Sequence, residues 1–317
     1  IRALSKKEKI RDILGLCYKE GDSVFISSVN VEKDIDIVPE RSLIDSSKYK
    51  IGKNKYAFMI TTRGCPKKCN FCGRPELPFR KVSLKAIETD IDFCNSLGIK
   101  SIDFEDDMLT LDTKHFLNTL NILSSYNFEL SAMNGIYIET LNKEILTQML
   151  KAGFKRLNIS LVDISEKVLK IQNRFKPNFV EFIPLIEKFD FLTEIHFIIG
   201  LPYQKAENVL NNLIFLMEHK CLPAPSMFYL APGSKIYENF PERNEIDLKA
   251  LRSSYIIEMP ESLSRKQIYS LVLISRFISF VKRIIDKNNN LNRLSEIIEV
   301  VDKNYQDLLK ILFEEKS

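Results

Sequence analysis

Three thiols fall within eight residues of this chain, in Arg63-Gly64-Cys65-Pro66-Lys67-Lys68-Cys69-Asn70-Phe71-Cys72, spaced C-x₃-C-x₂-C. Thiolates are soft donors, and three on one short loop select an iron–sulfur cluster, zinc or Cu(I) over magnesium or calcium. Their number discriminates further. A cubane that only carries electrons is held by four cysteines, so three leave one iron open to bind and activate a ligand. A closed structural zinc site needs four protein ligands. The remaining candidates, Cys17, Cys94, Cys221, His115, His196 and His219, form no second C-x₂-C or H-x₃-H pair. The residues favour an open-iron cluster, with zinc or a chance grouping of cysteines as the alternative.

The elements around that loop must present it. The apolar run Tyr56-Ala57-Phe58-Met59-Ile60 reads as a buried strand, and Thr61, Thr62 and Gly64 turn the chain outward from it. Further strands are expected at 101–105, 128–133, 156–161, 193–199 and 226–230, the first running 56–62. Helical patterns lie between them. One starts at Ser83, carries Leu84, Ile87, Ile91 and Cys94 on one face, and stops at Gly98. The next is capped by Asp112 and carries Phe116, Leu120 and Leu123; others span 143–152, 165–172, 179–189 and 204–219. Strand–helix alternation with such long connections demands parallel strands and right-handed crossovers. Six strands are too few for a closed eight-stranded barrel. The fold class expected is α/β, an open six-stranded (β/α)₆ partial TIM barrel over 51–240, with a helical C-terminal extension over 241–317. That extension shows Ile268, Leu271, Ile274, Ile278 and Val281, then Leu294 to Phe313.

Residues 1–50 read as an N-terminal helix and connector. Ile10, Ile13, Leu14 and Cys17 repeat at helical spacing, which puts Cys17 on a packed face, and Ser23–Ile26 is expected to pair with 34–38 as a hairpin. The chain opens on Ile1 rather than methionine, so a piece of a longer protein is expected.

Composition excludes several classes. With 45% apolar and 28% charged residues and a net charge of +4, there is no long Lys/Arg block, and nucleic-acid binding is not implied. No apolar run approaches the roughly 20 residues of a membrane span. Unevenly spaced cysteines and the lack of a secretory signal suit a reducing cytoplasm rather than a disulfide framework.

Parallel α/β architectures place their sites at the carboxyl ends of the strands. The second strand ends in Phe104-Glu105-Asp106-Asp107, carboxylates that repel one another and require a cationic partner, unless Asp107 and Asp112 merely cap the next helix. The third strand leads to Asn134-Gly135-Ile136 and the fourth to Ser160-Leu161-Val162-Asp163, with Arg174 after the following helix. The fifth ends in Gly200-Leu201-Pro202, where a lone His196 in an apolar strand reads as a satisfied core histidine. The sixth ends at Ala231-Pro232-Gly233-Ser234, with Tyr229 and Tyr237 placed to face a substrate.

C-x₃-C-x₂-C with the aromatic Phe71 before the last cysteine, on the loop after a first strand, resembles the radical S-adenosylmethionine (SAM) superfamily. The resemblance implies a [4Fe–4S] cluster on Cys65, Cys69 and Cys72, whose open iron is chelated by the methionyl end of S-adenosylmethionine. It implies reductive cleavage of that cofactor to a 5′-deoxyadenosyl radical, which abstracts hydrogen from a small-molecule or peptide substrate. An electron donor such as flavodoxin or ferredoxin is implied as a partner. Residue by residue, it assigns Glu105 or Asp106 to the cofactor's amino group, Ser160 to its ribose or methionyl end, Arg174 to its carboxylate, and the turn at Gly200 to the adenine. The Gly-Gly-Glu-like glycines of the family are missing before Glu105, and Val162 stands where relatives carry a glutamate.

The order Pro39-x-Arg41, Tyr49, the cysteine loop, Phe-x-Asp-Asp, Asn-Gly-Ile and Gly-Leu-Pro is most similar to the branch carrying a cobalamin-binding domain ahead of the barrel. Many members of that branch are methyltransferases. Cobalamin would enter through a domain absent from this chain, whose three histidines fit no Asp-x-His-x-x-Gly segment. A stand-alone cobalamin-free oxidoreductase or isomerase is the second enzyme expectation, and a non-enzymatic metal-binding module the third.

Overall fold

Six short segments form the parallel strands of an open α/β barrel in a computed structural model that describes residues 9–28, 31–175, 179–252 and 255–287. The chain divides into two compact units, residues 1–37 and 38–317.

In the first unit the expected helix is replaced by a single 3-10 turn, Ile10–Asp12, followed by a strand, Cys17–Glu20. That strand pairs antiparallel with Ser23–Ile26 across Gly21, and Tyr18 stacks on Phe25 at 5.4 Å. The hairpin therefore forms with the preceding segment, and residues 34–38 form no strand. Val24, Phe25 and Ile26 are strong strand formers and Gly21-Asp22 is a turn pair, so together they override the weak helical spacing that Gly15 already interrupts. Cys17 is exposed, not packed.

In the second unit, β1 (Asn54–Met59), β2 (Ser101–Phe104) and β3 (Glu129–Ala132) pair in parallel, with Phe58, Asp103 and Ser131 in register. A second ladder joins β4 (Arg156–Val162), β5 (Leu192–Ile199) and β6 (Leu222–Met227). The two meet at the bridge between Leu130 and Phe154, and the Asn158 side-chain amide spans the gap above it by donating to the Ala132 carbonyl at 2.9 Å. Among the described residues no ladder joins β6 back to β1, so the barrel is open.

The sixth strand lies four residues earlier than its expected start. Its sequence, Leu-Pro-Ala-Pro-Ser-Met, has poor strand propensity, but Pro223 and Pro225 alternate and so withhold their missing N–H groups from one side only. Such a strand is tolerated at a free edge. The first strand likewise ends at Met59 rather than at 62.

The helices follow their caps. Ser83 accepts from Ala86 N to start α1 (Leu84–Ser96), and Asp112 accepts from His115 N at 2.9 Å to start α2 (Thr113–Leu123). Asn142 caps α3 (Lys143–Ala152), which ends at the left-handed Gly153. Then come α4 (Glu166–Ile171), α5 (Phe179–Ile186), α6 (Ala206–Met217) and the long α7 (Arg265–Lys287). The Ser279 hydroxyl of α7 donates to the Pro223 carbonyl on the edge strand. The expected helical pattern at 294–313 lies outside the described residues.

Strand alternation builds the core. Ile102, Phe104, Leu130, Leu157, Ile159, Ile195 and Phe197 are fully buried on the helix-facing side. Phe104 stacks on Phe154 at 5.8 Å, and Phe116 meets Phe154 edge-on at 6.3 Å. Each such side chain contributes roughly 1.5–3 kcal/mol by burial. Cys94 is buried there, as its place on the apolar face of α1 predicts.

Candidate cluster and cofactor site

The cysteine loop leaves the carboxyl end of β1 and is gripped from below by the acidic end of β2. Asp106, fully buried, accepts from Thr61 N at 3.0 Å, from Thr61 Oγ1 at 2.8 Å, from Thr62 Oγ1 at 2.6 Å and from the Thr62 N–H. Burial pushes its carboxyl upward, and these donors oppose the shift. Asp107 accepts from Gly64 N at 3.0 Å and pairs with the Arg74 guanidinium. Arg74 is thus the cation the acidic run demands. Asp107 ties down the loop and does not cap a helix, whereas Asp112 does. Gly64 has φ +92°, and a Cβ there would run into the Pro78 carbonyl oxygen, so only glycine fits.

A second grip comes from the end of α4. Asn70 N donates to the Gln172 carbonyl at 3.1 Å and Asn70 Nδ2 to the Ile171 carbonyl at 2.7 Å. Asn173 Nδ2 donates to the Lys68 carbonyl at 2.7 Å, and Arg174 Nη1 lies 3.7 Å from Cys69 Sγ. On the far side, Ile236 N donates to the Asn70 carbonyl at 3.0 Å. The loop is therefore held at Gly64, just before its first cysteine, and at Lys68 and Asn70, between its cysteines.

Cys65, Cys69 and Cys72 are free, half-buried, and line one cavity of about 690 Å³. Phe71, Asn134, Ser160 and Arg174 share that lining. Lys67 also lines it, its Nζ 3.8 Å from the Tyr137 ring centroid and 3.8 Å from Glu139. Burial, with the Arg174 guanidinium nearby, pulls the Lys67 ammonium below its ordinary value. Arg174 Nε is buried with no partner. Among the described residues no group of three or more Cys, His, Asp or Glu side chains is set to hold a single metal ion.

Of the residues singled out in the sequence, the structure brings Cys65, Cys69, Cys72, Phe71, Ser160 and Arg174 together. It does not bring in Glu105, Asp106 or Gly200. Glu105 lies just below, with Asn134 Nδ2 3.5 Å from its Oε2. Gly200 N donates to Gln204 Oε1 at 2.7 Å, and Gln204 Nε2 donates to the buried Asp163 at 2.8 Å. Asp163 and Gln204 thus shape the Gly-Leu-Pro turn from within. His196 is half-buried with Nε2 unpartnered, so it is not the satisfied core histidine expected. Tyr229 lines a neighbouring cavity of about 510 Å³ with Phe71 and Cys72, and Tyr237 packs into the core beside Leu230. The sequence reading gave no role to Asn70, Asn173, Lys67 or Arg74, and it named Asn134 only in the Asn-Gly-Ile turn that ends the third strand. Arg74 left a signal only as one of several cations in or beside the cysteine loop, with Arg63, Lys67 and Lys68, that could answer the acidic run.

The family model of the radical SAM superfamily matches residues 59–216. An uncharacterized methyltransferase of Pyrococcus horikoshii is 27% identical over 218 residues, 66% of this chain and 48% of that protein. The bacteriochlorophyllide d C-12(1)-methyltransferase of Chlorobaculum tepidum is 21% identical over 196 residues, 58% of this chain and 42% of that protein. The radical S-adenosylmethionine methyltransferase TsrM from Kitasatospora setae, solved with cobalamin and a [4Fe–4S] cluster bound, has the same fold. It superposes with a TM-score of 0.57 at 14% identity, over 75% of this chain and 51% of that one. The chain spans about half the length of the relatives it matches.

Proposed function

The chain belongs to the radical SAM superfamily, and we propose that it is the barrel of a methyl-transferring member that works with a cobalamin carried elsewhere in a longer protein. The observation that carries the proposal is the cavity in which three free thiols meet Arg174, Ser160 and Asn134. A [4Fe–4S] cluster with S-adenosylmethionine supplies, on reduction, a 5′-deoxyadenosyl radical. The chain's own residues do the rest. Cys65, Cys69 and Cys72 would hold the cluster. Arg174, whose Nε is buried and unpartnered, would take the methionyl carboxylate, because a guanidinium binds a carboxylate through paired donors. Ser160 and Asn134 offer neutral polar contacts on the same wall, and Glu105, one layer below, would take the ammonium.

Methyl transfer is supported by the two methyltransferase relatives, and cobalamin by the ligand in the TsrM structure. The electron donor is proposed to be a small redox protein that docks near the cysteine loop. No helix among the described residues is long and apolar enough to cross a membrane.

The test is anaerobic reconstitution with iron and sulfide. Cluster absorbance and cofactor cleavage should appear in the parent chain and be lost when Cys65, Cys69 or Cys72 becomes alanine. Cys17, Cys94 and Cys221 should be dispensable. Near-normal cleavage by Cys69→Ala would overturn the assignment.

A further inference from the structure

The inward faces of the strands contain a carboxylate that the cofactor reading does not use. Closed barrels fill this space with layers of branched apolar side chains. Here alternation places Ser101, Asp103, Ser131, Asn158, Ser160 and His196 on that side, opposite the fully buried Ile102, Phe104, Leu157, Ile159 and Phe197.

Among the described residues the buried carboxylates are Asp90, Asp103, Asp106 and Asp163. Three are fully engaged. Both Asp90 oxygens accept from Arg41, at 2.6 and 2.8 Å. Asp106 is taken by Thr61 and Thr62. Asp163 accepts from Ser165 N at 2.7 Å and from Gln204 Nε2 at 2.8 Å, one on each oxygen.

Asp103 differs. Its Oδ1 accepts from Ser131 Oγ at 2.9 Å and from Met133 N at 3.2 Å, while among the described residues Oδ2 accepts no hydrogen bond. No cation pairs with it among the described residues. Ser131 and the backbone thus fix the carboxylate and turn one oxygen to a ligand. Burial pushes this carboxyl above its ordinary value, and the hydrogen bonds from Ser131 and Met133 oppose the shift.

Its neighbours are apolar and uncovered. Phe58, in register with Asp103 on β1, is 51% exposed, and Met133 is 53% exposed. The Met133 thioether lies 3.7 Å from Asn158 Nδ2, so it reaches across the same face toward β4. Glu105 follows Asp103 by two residues and adds negative charge to that side.

We propose that the inward face of β1–β3 holds the substrate, with Asp103 accepting a hydrogen bond from its ammonium or hydroxyl group while Phe58 and Met133 cover an adjoining apolar part. The substrate class is an amphipathic molecule or peptide side chain with a hydrogen-bond donor there, and an anionic group is excluded from that position. The inference rests on the radical-enzyme reading only for what is done to the substrate.

The test titrates the reconstituted chain with 2-phenylethylamine, 2-phenylethanol and 3-phenylpropionate by ligand-observed NMR. The amine should bind best and the carboxylate worst. Asp103→Asn should weaken the amine about tenfold, the loss of one charge-assisted hydrogen bond, and the alcohol much less. Phe58→Ala should weaken amine and alcohol together. Carboxylate binding as tight as the amine, an unchanged amine affinity in Asp103→Asn, or no binding by any of the three would overturn the proposal. Should Asp103→Asn fail to fold by circular dichroism, the charge order in the parent and the Phe58→Ala result decide. Cluster absorbance is read on the same samples. Its absence sinks the cofactor reading, whereas a wrong charge order sinks only this one.

Discussion

Asp106 and His115 show how single side chains at the base of the site are committed. Asp106 collects donors from both Thr61 and Thr62, and each would be stranded without it. A buried donor left unpaired costs about 1–3 kcal/mol. Asp106→Ala should therefore lower stability by several such increments and disturb the cysteine loop, whereas Glu105→Gln should leave stability near that of the parent. Urea unfolding of the two variants checks this, and a fully stable Asp106→Ala would refute it. His115 is buried on α2 with Nε2 unpartnered. Burial draws its imidazole below the ordinary value, with Lys81 adding to the shift while a backbone bond with Thr61 and the Asp112 charge oppose it. A depressed imidazole binds its proton more readily in the unfolded chain. Its stability contribution is thus present above the ordinary value near 6.5 and lost as pH falls from there through the folded value. Thermal melts from about pH 8 down to about pH 5.5 should show a smaller drop in His115→Leu than in the parent.

At the scale of elements, the cysteine loop has little structure of its own and takes its shape from two strand and helix ends. Three hydrogen bonds join the segment 171–174 to the loop through Asn70 and Asn173, two on the loop backbone and one from the Asn70 side chain. Each contributes roughly 0.5–1.5 kcal/mol. The double variant Asn70→Ala, Asn173→Ala should reconstitute with less iron per chain than the parent while its far-ultraviolet circular dichroism is unchanged. Equal iron content in both would show that the clamp does not position the thiols. Asn173 also holds φ +51°, which asparagine tolerates and alanine does not, so Asn173→Gly separates the backbone effect from the lost amide.

For the whole molecule, the proposed division of labour makes a prediction about cofactors. In the proposal, the cluster and S-adenosylmethionine sites would be built from residues of this barrel, while no residue group here is assigned to cobalamin. The chain spans about half of the relatives it matches. The full-length protein should bind cobalamin and transfer methyl groups. This chain alone should assemble its cluster and cleave S-adenosylmethionine slowly with no productive outcome. Methyl transfer by this chain without cobalamin would favour a stand-alone enzyme instead.

Local sequence determined much of this. Thiol spacing, the Ser83, Asp112 and Asn142 caps, the Gly153 stop and the strand–helix alternation are short-range features, each legible because its cause lies within a few residues. The family resemblance rested on the same kind of signal. The misplaced elements failed for two different reasons: the hairpin of Cys17–Glu20 with Ser23–Ile26 followed the local Gly21-Asp22 turn over a weak helical spacing, whereas the edge strand was made possible for Pro223 and Pro225 by its free side. Tertiary structure alone sorted the acidic residues. Glu105, Asp106, Asp107 and Asp103 look interchangeable in sequence. Strand pleating and partners 28 to 45 positions away make one a loop anchor, one an arginine partner and one a carboxylate with an open oxygen. Hydrogen-bond saturation depends on what the fold brings near, and no local pattern encodes it.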